Sequence, residues 1–293
     1  MFEMFFVTTI ANLVFCMLRK IYLDTNNSSG KSFSFFTFVT SLICSFIFFF
    51  QAIGGSASQK TIIISVLYGL ICALQYYFFA HALRTGYYSL TMAVLSLSTV
   101  IPAFSGLCWG EEISAWQIVG MALMSVFFIL IITDVKKQKL QVKWILSCSL
   151  LFLLTGLIGV LQKWHQSSAV SAERGSFLFI AFSVTTVLSL LLYIIEIKLF
   201  KKTNENSQEK ITFKRLIAPA VIIIISAIGL AVNNFVNLYL TGKMLSAVFF
   251  PIINGASVTV NILAGVILFK EKLTLKICIG IATAVVATIC LCI

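Results

Sequence analysis

Trp109-Gly110-Glu111-Glu112-Ile113-Ser114, with Gly120 six residues on, is matched near the other end of the chain by Phe269-Lys270-Glu271-Lys272-Leu273-Thr274, with Gly280 six residues on. Both stretches read aromatic-x-Glu-x-[Ile/Leu]-[Ser/Thr]-x5-Gly, both follow a long apolar run and both precede another, at a constant offset of 160 residues. A fixed offset over the whole pattern argues for a duplicated chain. Locally the pattern is a turn between two helices. Ser114 and Thr274 occupy N-cap positions, and Ser114-Ala115-Trp116-Gln117 has the spacing of a capping box. Glu111 and Glu271 lie one turn earlier, where the dipole of the following helix favours negative charge. Both glutamates are therefore expected to serve the turn and the cap.

Working outward from this turn, the chain is too apolar to be a water-soluble domain. It has 293 residues, 60% hydrophobic and 11% charged, with a mean hydropathy of +1.04. Apolar runs long enough to cross a bilayer as helices recur along its whole length. The net charge of +11 does not point to nucleic acid, because the basic residues are scattered between apolar runs with no aromatic platform among them. The eight cysteines fall inside apolar runs without CxxC pairs or nearby histidines, and read as small membrane hydrophobes rather than disulfides or metal ligands. The N-terminus enters an apolar run by Met4 with no basic n-region, so it is expected to be retained as the first span.

Ten spans account for the sequence, at residues 4–22, 33–53, 61–83, 89–109, 114–133, 144–163, 175–200, 216–240, 246–269 and 274–293. Further echoes extend the duplication: Thr85-Gly86 with Thr241-Gly242, Phe79 with Phe235, and, more weakly, Leu18-Arg19-Lys20 with Leu161-Gln162-Lys163. The expected architecture is all-α and polytopic, with a five-helix repeat at 1–133, a short basic linker at 134–143 and a second five-helix repeat at 144–293. An odd number of spans per repeat makes the second copy enter the membrane from the opposite face. The result is an inverted pair of the kind found in secondary transporters. Lys and Arg near the alternate connections number 17 on one face and 4 on the other. The positive-inside rule then puts both termini outside the cytoplasm and the 201–215 loop inside. The Asn26 and Asn27 N-x-Ser triplets accordingly face the cytoplasm and carry no weight as glycan sites.

No carboxylate stands near the middle of any span, so the polar groups available there are amides, hydroxyls and aromatics. An amide in hydrocarbon is costly unless it bonds to protein, water or substrate. Asn233, Asn234 and Asn237 cluster in the eighth span, and Asn254, Ser257 and Asn261 share a face of the ninth. The third span offers Gln75, Tyr76, Tyr77 and His81, the fourth Ser98, Pro102 and Ser105, and the first Asn12. The substrate-binding set expected from these faces is Asn12, Gln75, Tyr77, Ser98, Asn233, Asn234, Asn254 and Asn261. The competing role is interhelical hydrogen bonding, which stabilises by roughly 0.6 kcal/mol per pair. Pro102 and Pro251 read as kinks or relief points, and Lys163 and His165 as interfacial side chains.

Ten helices in two five-helix repeats, with Glu-x-[Leu/Ile]-[Ser/Thr]-x5-Gly between the fourth and fifth of each, resemble the EamA-type members of the drug/metabolite transporter superfamily. The likeness covers the whole chain in architecture and is most specific over residues 246–280. It implies a carrier of small organic solutes whose central cavity is lined mainly by spans one, three, four, six, eight and nine, with five and ten packed outside. Two departures stand out. Small multidrug-resistance relatives use a membrane-embedded glutamate in their first helix, where this chain has only Glu3 at the extreme start, so cation antiport does not carry over. Many ten-helix relatives keep both termini in the cytoplasm, against the charge count above.

The function expected from these features is secondary transport of a small polar metabolite, such as an amino acid or related compound, in the direction of export and by alternating access. The alternative is a non-transporting membrane sensor or a lipid-handling scaffold. An enzyme is not expected: His81 and His165 have no neighbouring acid in sequence, and there is no HExxH, Gly-x-Ser-x-Gly or phosphate-binding glycine loop. The expected partners are a small-molecule substrate, the bilayer of the plasma membrane and a coupling proton or other ion. No cofactor or nucleic acid is expected, and the assembly is a monomer or a homodimer. The topology is testable with a Ser207→Cys variant: an impermeant thiol reagent outside intact cells should leave the new cysteine unlabelled, and labelling from outside would show that the charge rule fails here.

Overall fold

Hydrocarbon offers a peptide backbone no hydrogen bonds, so an apolar run inside it has to satisfy its own N–H and C=O groups as a helix. The computed structural model of the chain describes residues 2–25, 33–135, 142–168, 170–201, 213–270 and 275–292, and is all-α. The elements are α1 (Phe2–Thr25), α2 (Phe33–Ala52), α3 (Gln59–Thr85), α4 (Tyr88–Leu97), α5 (Val100–Ser105), α6 (Ala115–Val135), α7 (Val142–Ser167), α8 (Arg174–Lys201), α9 (Phe213–Thr241), α10 (Ser246–Phe269) and α11 (Leu275–Cys292). With a 3-10 turn at Gly106–Trp109, α4 and α5 make one interrupted pass, so each of the ten expected spans falls on helix. Among the described residues, eight passes are long and apolar enough to cross a membrane, and the chain is a multi-pass membrane protein. The remaining two, α6 and α11, run along each other. Residues 271–274 of the second turn motif, the Asn26 and Asn27 triplets, and the middles of the 134–143 and 201–215 connections lie outside the described residues.

The interruption of the fourth pass follows from Pro102. Proline has no N–H to offer the carbonyl four residues earlier, and its ring crowds that carbonyl. The residue four back is Ser98, where α4 ends. Its carbonyl accepts instead from Ile101 N at 3.1 Å, and the hydroxyls of Ser98 and Thr99 turn back to Leu95 O (2.6 Å) and Ser96 O (2.5 Å). Local bonding thus repairs the break, and α5 continues across the membrane. Gly156 and Gly159 let α7 approach this segment closely, since a Cβ on either would run into Ile101 or Pro102.

Side-chain contacts join the starts of α3 and α10 to the residues just before α8 and α6, and the start of α2 to the end of α8, so successive segments run in alternate directions through the bundle: α1, α3, α6, α8 and α10 start at one end of it, here the first face, and the others at the second. Helix starts leave N–H groups without intrahelical partners. At three starts a glutamate from another element supplies the acceptor, taking both the N–H and the hydroxyl of a serine. Glu173, just before α8, accepts from Ser58 N (2.8 Å) and Oγ (2.9 Å) at the start of α3. Glu196, late in α8, accepts from Ser34 N (3.2 Å) and Oγ (2.9 Å) at the start of α2. Glu111 accepts from Ser246 N (2.7 Å) and Oγ (3.3 Å) at the start of α10. The start of α6 keeps the expected capping box, Gln117 N to Ser114 Oγ at 3.2 Å and Ser114 N to Gln117 Oε1 at 3.1 Å. Glu111 is therefore a cap as expected, but for a different helix. It reaches that helix because residue 106 is glycine: a Cβ there would run into the carboxylate.

Among the described residues the most extensive helix pairings are α2 with α8, α6 with α11, α1 with α9, α3 with α7 and α3 with α8. Phe15, Phe36, Tyr68, Phe177 and Phe182 anchor the largest buried apolar cluster, on the side formed by α1, α2, α3 and α8. Hydrogen bonds from Thr61 and Ser58 hold the Glu173 carboxyl below its ordinary value of 4.5. A depressed carboxylate pKa makes its contribution to stability full above that ordinary value and lost as pH falls through the native one. Glu173→Gln should thus lower the thermal unfolding temperature in detergent at neutral pH, and the gap to wild type should narrow as pH falls below the ordinary glutamate value of 4.5. A gap that does not change with pH would show that the carboxylate charge is not what holds the start of α3.

Candidate functional site

Side chains from α1, α3, the α4–α5 pass, α7, α9 and α10 converge on a cavity of about 130 Å³ in the middle of the bundle. One buried water needs roughly 10–15 Å³ on this measure, so there is space for several waters or a small solute. Seven carboxamides line it: Asn12, Gln75, Gln162, Asn233, Asn234, Asn237 and Asn254. Hydroxyls of Tyr68, Tyr76, Ser98, Thr99 and Thr155 join them, with Phe15, Phe79, Phe249 and Phe250 as apolar walls. No lining residue carries a charge. The chemistry on offer is neutral: donors and acceptors in roughly equal supply, between aromatic faces.

Part of this polar surface is occupied in holding helices together. Gln162 Nε2 donates to the Tyr68 hydroxyl (3.0 Å), which donates to Asn234 Oδ1 (2.9 Å), while Asn234 Nδ2 donates to Leu230 O (2.9 Å). That chain ties α7 to α3 and α3 to α9. Thr8 Oγ1 stands 2.8 Å from Asn233 Oδ1 and 2.9 Å from Asn237 Oδ1, so one proton is shared between two amides and α1 is tied to α9. Other groups remain open. Gln75 Oε1 is buried and accepts no hydrogen bond, its Nε2 reaching Thr155 Oγ1 only at 3.4 Å. Asn254 Nδ2 bonds Phe250 O in its own helix at 3.0 Å.

Of the eight residues expected from sequence, Asn12, Gln75, Ser98, Asn233, Asn234 and Asn254 line the cavity, and Tyr77 and Asn261 do not. The face of α3 on the cavity is Tyr68, Cys72, Gln75, Tyr76 and Phe79, and one further residue turns Tyr77 about 100° away, edge-on to Phe78. Asn261 shares a stripe of α10 with Asn254 but lies about 10 Å along the helix. There it is 0% exposed, accepts from the Tyr88 hydroxyl and donates to Ser257 O at 2.7 Å. It joins α10 to α4. Thr155 and Gln162, one heptad apart on α7, are cavity residues outside the expected set. Their spacing was the available signal.

Two basic side chains expected near the interface, Lys163 and His165, are inside the protein. Lys163, 7% exposed, is paired with Glu111 and donates to Met244 O at 3.2 Å, and does not snorkel. His165 is fully buried between Thr61 Oγ1 (Nε2, 3.2 Å) and Gln166 Nε2 (Nδ1, 2.9 Å), with its ring on Phe177. Lys163 follows the cavity residue Gln162, so a buried Lys163–Glu111–Ser246 junction stands next to the cavity on its first-face side and links α7, the turn before α6 and α10. Toward the second face stands Arg19, 1% exposed, whose Nη2 donates to Thr37 Oγ1 (2.9 Å) and Tyr76 O (2.5 Å). Among the described residues no group of three or more His, Cys, Asp or Glu is placed to hold a metal ion.

No protein-family model matches the sequence, and no characterised protein matches it. A solved crystal structure, described only as "Crystal structure of protein", is similar over 98% of this chain and 98% of its own, with a TM-score of 0.61 and 12% identity. At that identity the likeness shows a shared fold and nothing about activity. A buried ion pair that loses one member leaves an uncompensated charge, at a cost of about 3–5 kcal/mol. Glu111→Gln and Lys163→Met should each lower the unfolding temperature sharply. The double variant should recover much of the loss, and simple additivity of the two would show that the pair is not coupled.

Proposed function

We propose that this chain is a secondary carrier that moves a small polar metabolite, such as an amino acid or related compound, across the plasma membrane by alternating access between inverted repeats. The observation that carries the reading is an uncharged, carboxamide-lined cavity in the middle of the bundle, formed by helices from both halves of the chain. The six passes around it are those that resemblance to EamA-type transporters implies. Export as the direction rests on that resemblance alone.

Several features support an inverted repeat. With the passes numbered one to ten, exchanging each with the one five further on leaves the α2–α8, α6–α11 and α4–α10 pairings unchanged, turns α1–α9 into α3–α7, and turns α3–α8 into α2–α9. The backbone is left-handed at matching positions of the two turn motifs, Gly110 (φ 76°) and Lys270 (φ 53°). Lys20 donates to Leu83 O at 2.9 Å at the end of the third pass, and its echo Lys163 donates to Met244 O just after the eighth. Setting aside the buried Arg19 and Lys163 changes the count of basic residues to 16 against 3, so the charge bias still puts the second face in the cytoplasm.

Asn254→Leu is the cleaner test of the cavity, because among the described residues its amide bonds only within its own helix. Purified protein in liposomes, with or without a pH gradient, should accelerate flux of at least one solute from a broad metabolite panel. N254L should abolish that flux while keeping the wild-type unfolding temperature. Asn234→Leu should lose flux and also about 1–3 kcal/mol of stability, because the Tyr68 hydroxyl loses its acceptor. A wild type that carries nothing favours a sensor or scaffold; an N254L that transports normally makes the amide structural.

A further inference from the structure

We propose that Arg19 selects a solute bearing a single carboxylate: the guanidinium now stored behind the cavity wall becomes part of the binding surface when the carrier opens to its other face. This deepens the carrier reading and rests on it. The first observation is a charge without a counter-ion. Arginine is protonated throughout the accessible pH range, and a cation inside a membrane bundle pairs with a carboxylate or with backbone carbonyls. Among the described residues the ion pairs are Lys20 with Asp24 and Lys163 with Glu111, and Arg19 has none. Its compensation is two hydrogen bonds from Nη2 and the rings of Phe15, Phe36, Tyr76 and Phe79, whose centroids lie 5.7, 5.5, 5.4 and 5.2 Å from Cζ. Nε is buried and has no hydrogen-bond partner among the described residues.

The second observation is position. Phe15, Tyr76 and Phe79 each touch the guanidinium and line the cavity, so one layer of rings separates the cation from a bound solute. The third is the repeat. Leu18-Arg19-Lys20 corresponds to Leu161-Gln162-Lys163, which sets Arg19 opposite Gln162, a side chain that lines the cavity. Alternating access rocks or gates one repeat against the other around a fixed site, and in this proposal the second state is the one in which the two halves have exchanged conformations. After the exchange, Arg19 takes the position on the cavity that Gln162 holds here. One unpaired cation suits one negative charge, and a guanidinium fork suits a carboxylate. Gln75 Oε1, the open acceptor one residue from Tyr76, is suited to the ammonium group of a zwitterion.

The test uses matched pairs that differ only in the anionic group. Counterflow into liposomes holding the full-length protein is measured for a panel of small amino acids and for their amides. The wild type should carry at least one acid about ten-fold or more faster than its amide. Arg19→Gln should lose that preference while still carrying the amide, and Arg19→Lys should keep most of it. If R19Q fails to fold, Arg19→Met, which fills the aromatic cage with an apolar chain, takes its place and should show the same loss. Equal flux of acid and amide in the wild type overturns the proposal, as does a preference that survives in R19Q or R19M. A wild type that carries neither member of any pair overturns the carrier reading itself.

Discussion

Three helix starts inside this protein depend on an acceptor that their own segments do not carry. In water the free N–H groups of a first turn bond to solvent; within a bundle in lipid they have to bond to protein. Glu111, Glu173 and Glu196 meet that demand from other elements, each binding the N–H and hydroxyl of a serine at the start of α10, α3 or α2. Three carboxylates out of the ten acidic residues in the chain thus fix where three helices begin relative to their neighbours. The positions of Asn254 on α10 and of Tyr68 and Gln75 on α3 around the cavity follow from those anchors.

The same constraint explains how much of the site is legible in sequence. An amide or hydroxyl in an apolar helix must reach polar surroundings, and the cavity is where six helices provide them, so Asn12, Gln75, Ser98, Asn233, Asn234 and Asn254 stand out by residue type and span. The exact facing does not. Gln75, Tyr76 and Tyr77 are consecutive, and only the rotation of α3 against its neighbours decides which two of them reach the cavity. Asn254 and Asn261 share a stripe, but depth along the stripe depends on how far apart the helices stand at each level, which is a property of packing.

Arg19 and Lys163 were the harder residues for a related reason. Both lie near the end of an apolar run, where long basic side chains normally extend to the headgroups. The helices run past them, α1 to Thr25 and α7 to Ser167, so each cation sits inside the bundle rather than at its edge. Hydrophobicity marks where lipid ends and does not mark where a helix ends. The glutamate of the first turn motif is legible as a cap, yet its choice of α10 over α6 is set by the bare backbone of Gly106 and by the docking of α10 beside it.

A cavity walled by helices from both halves, with a buried ion-pair junction beside it toward one face and a buried guanidinium toward the other, is an arrangement suited to opening at one end at a time. Alternating exposure is therefore the central property to measure. A cysteine introduced at Ser98, in a background whose reactive native cysteines have been replaced, is tested with an impermeant thiol reagent applied to sealed vesicles from either face. Alternating access predicts reaction from both faces, with conditions that increase labelling from one face reducing it from the other. Labelling from one face only, under every condition, contradicts it.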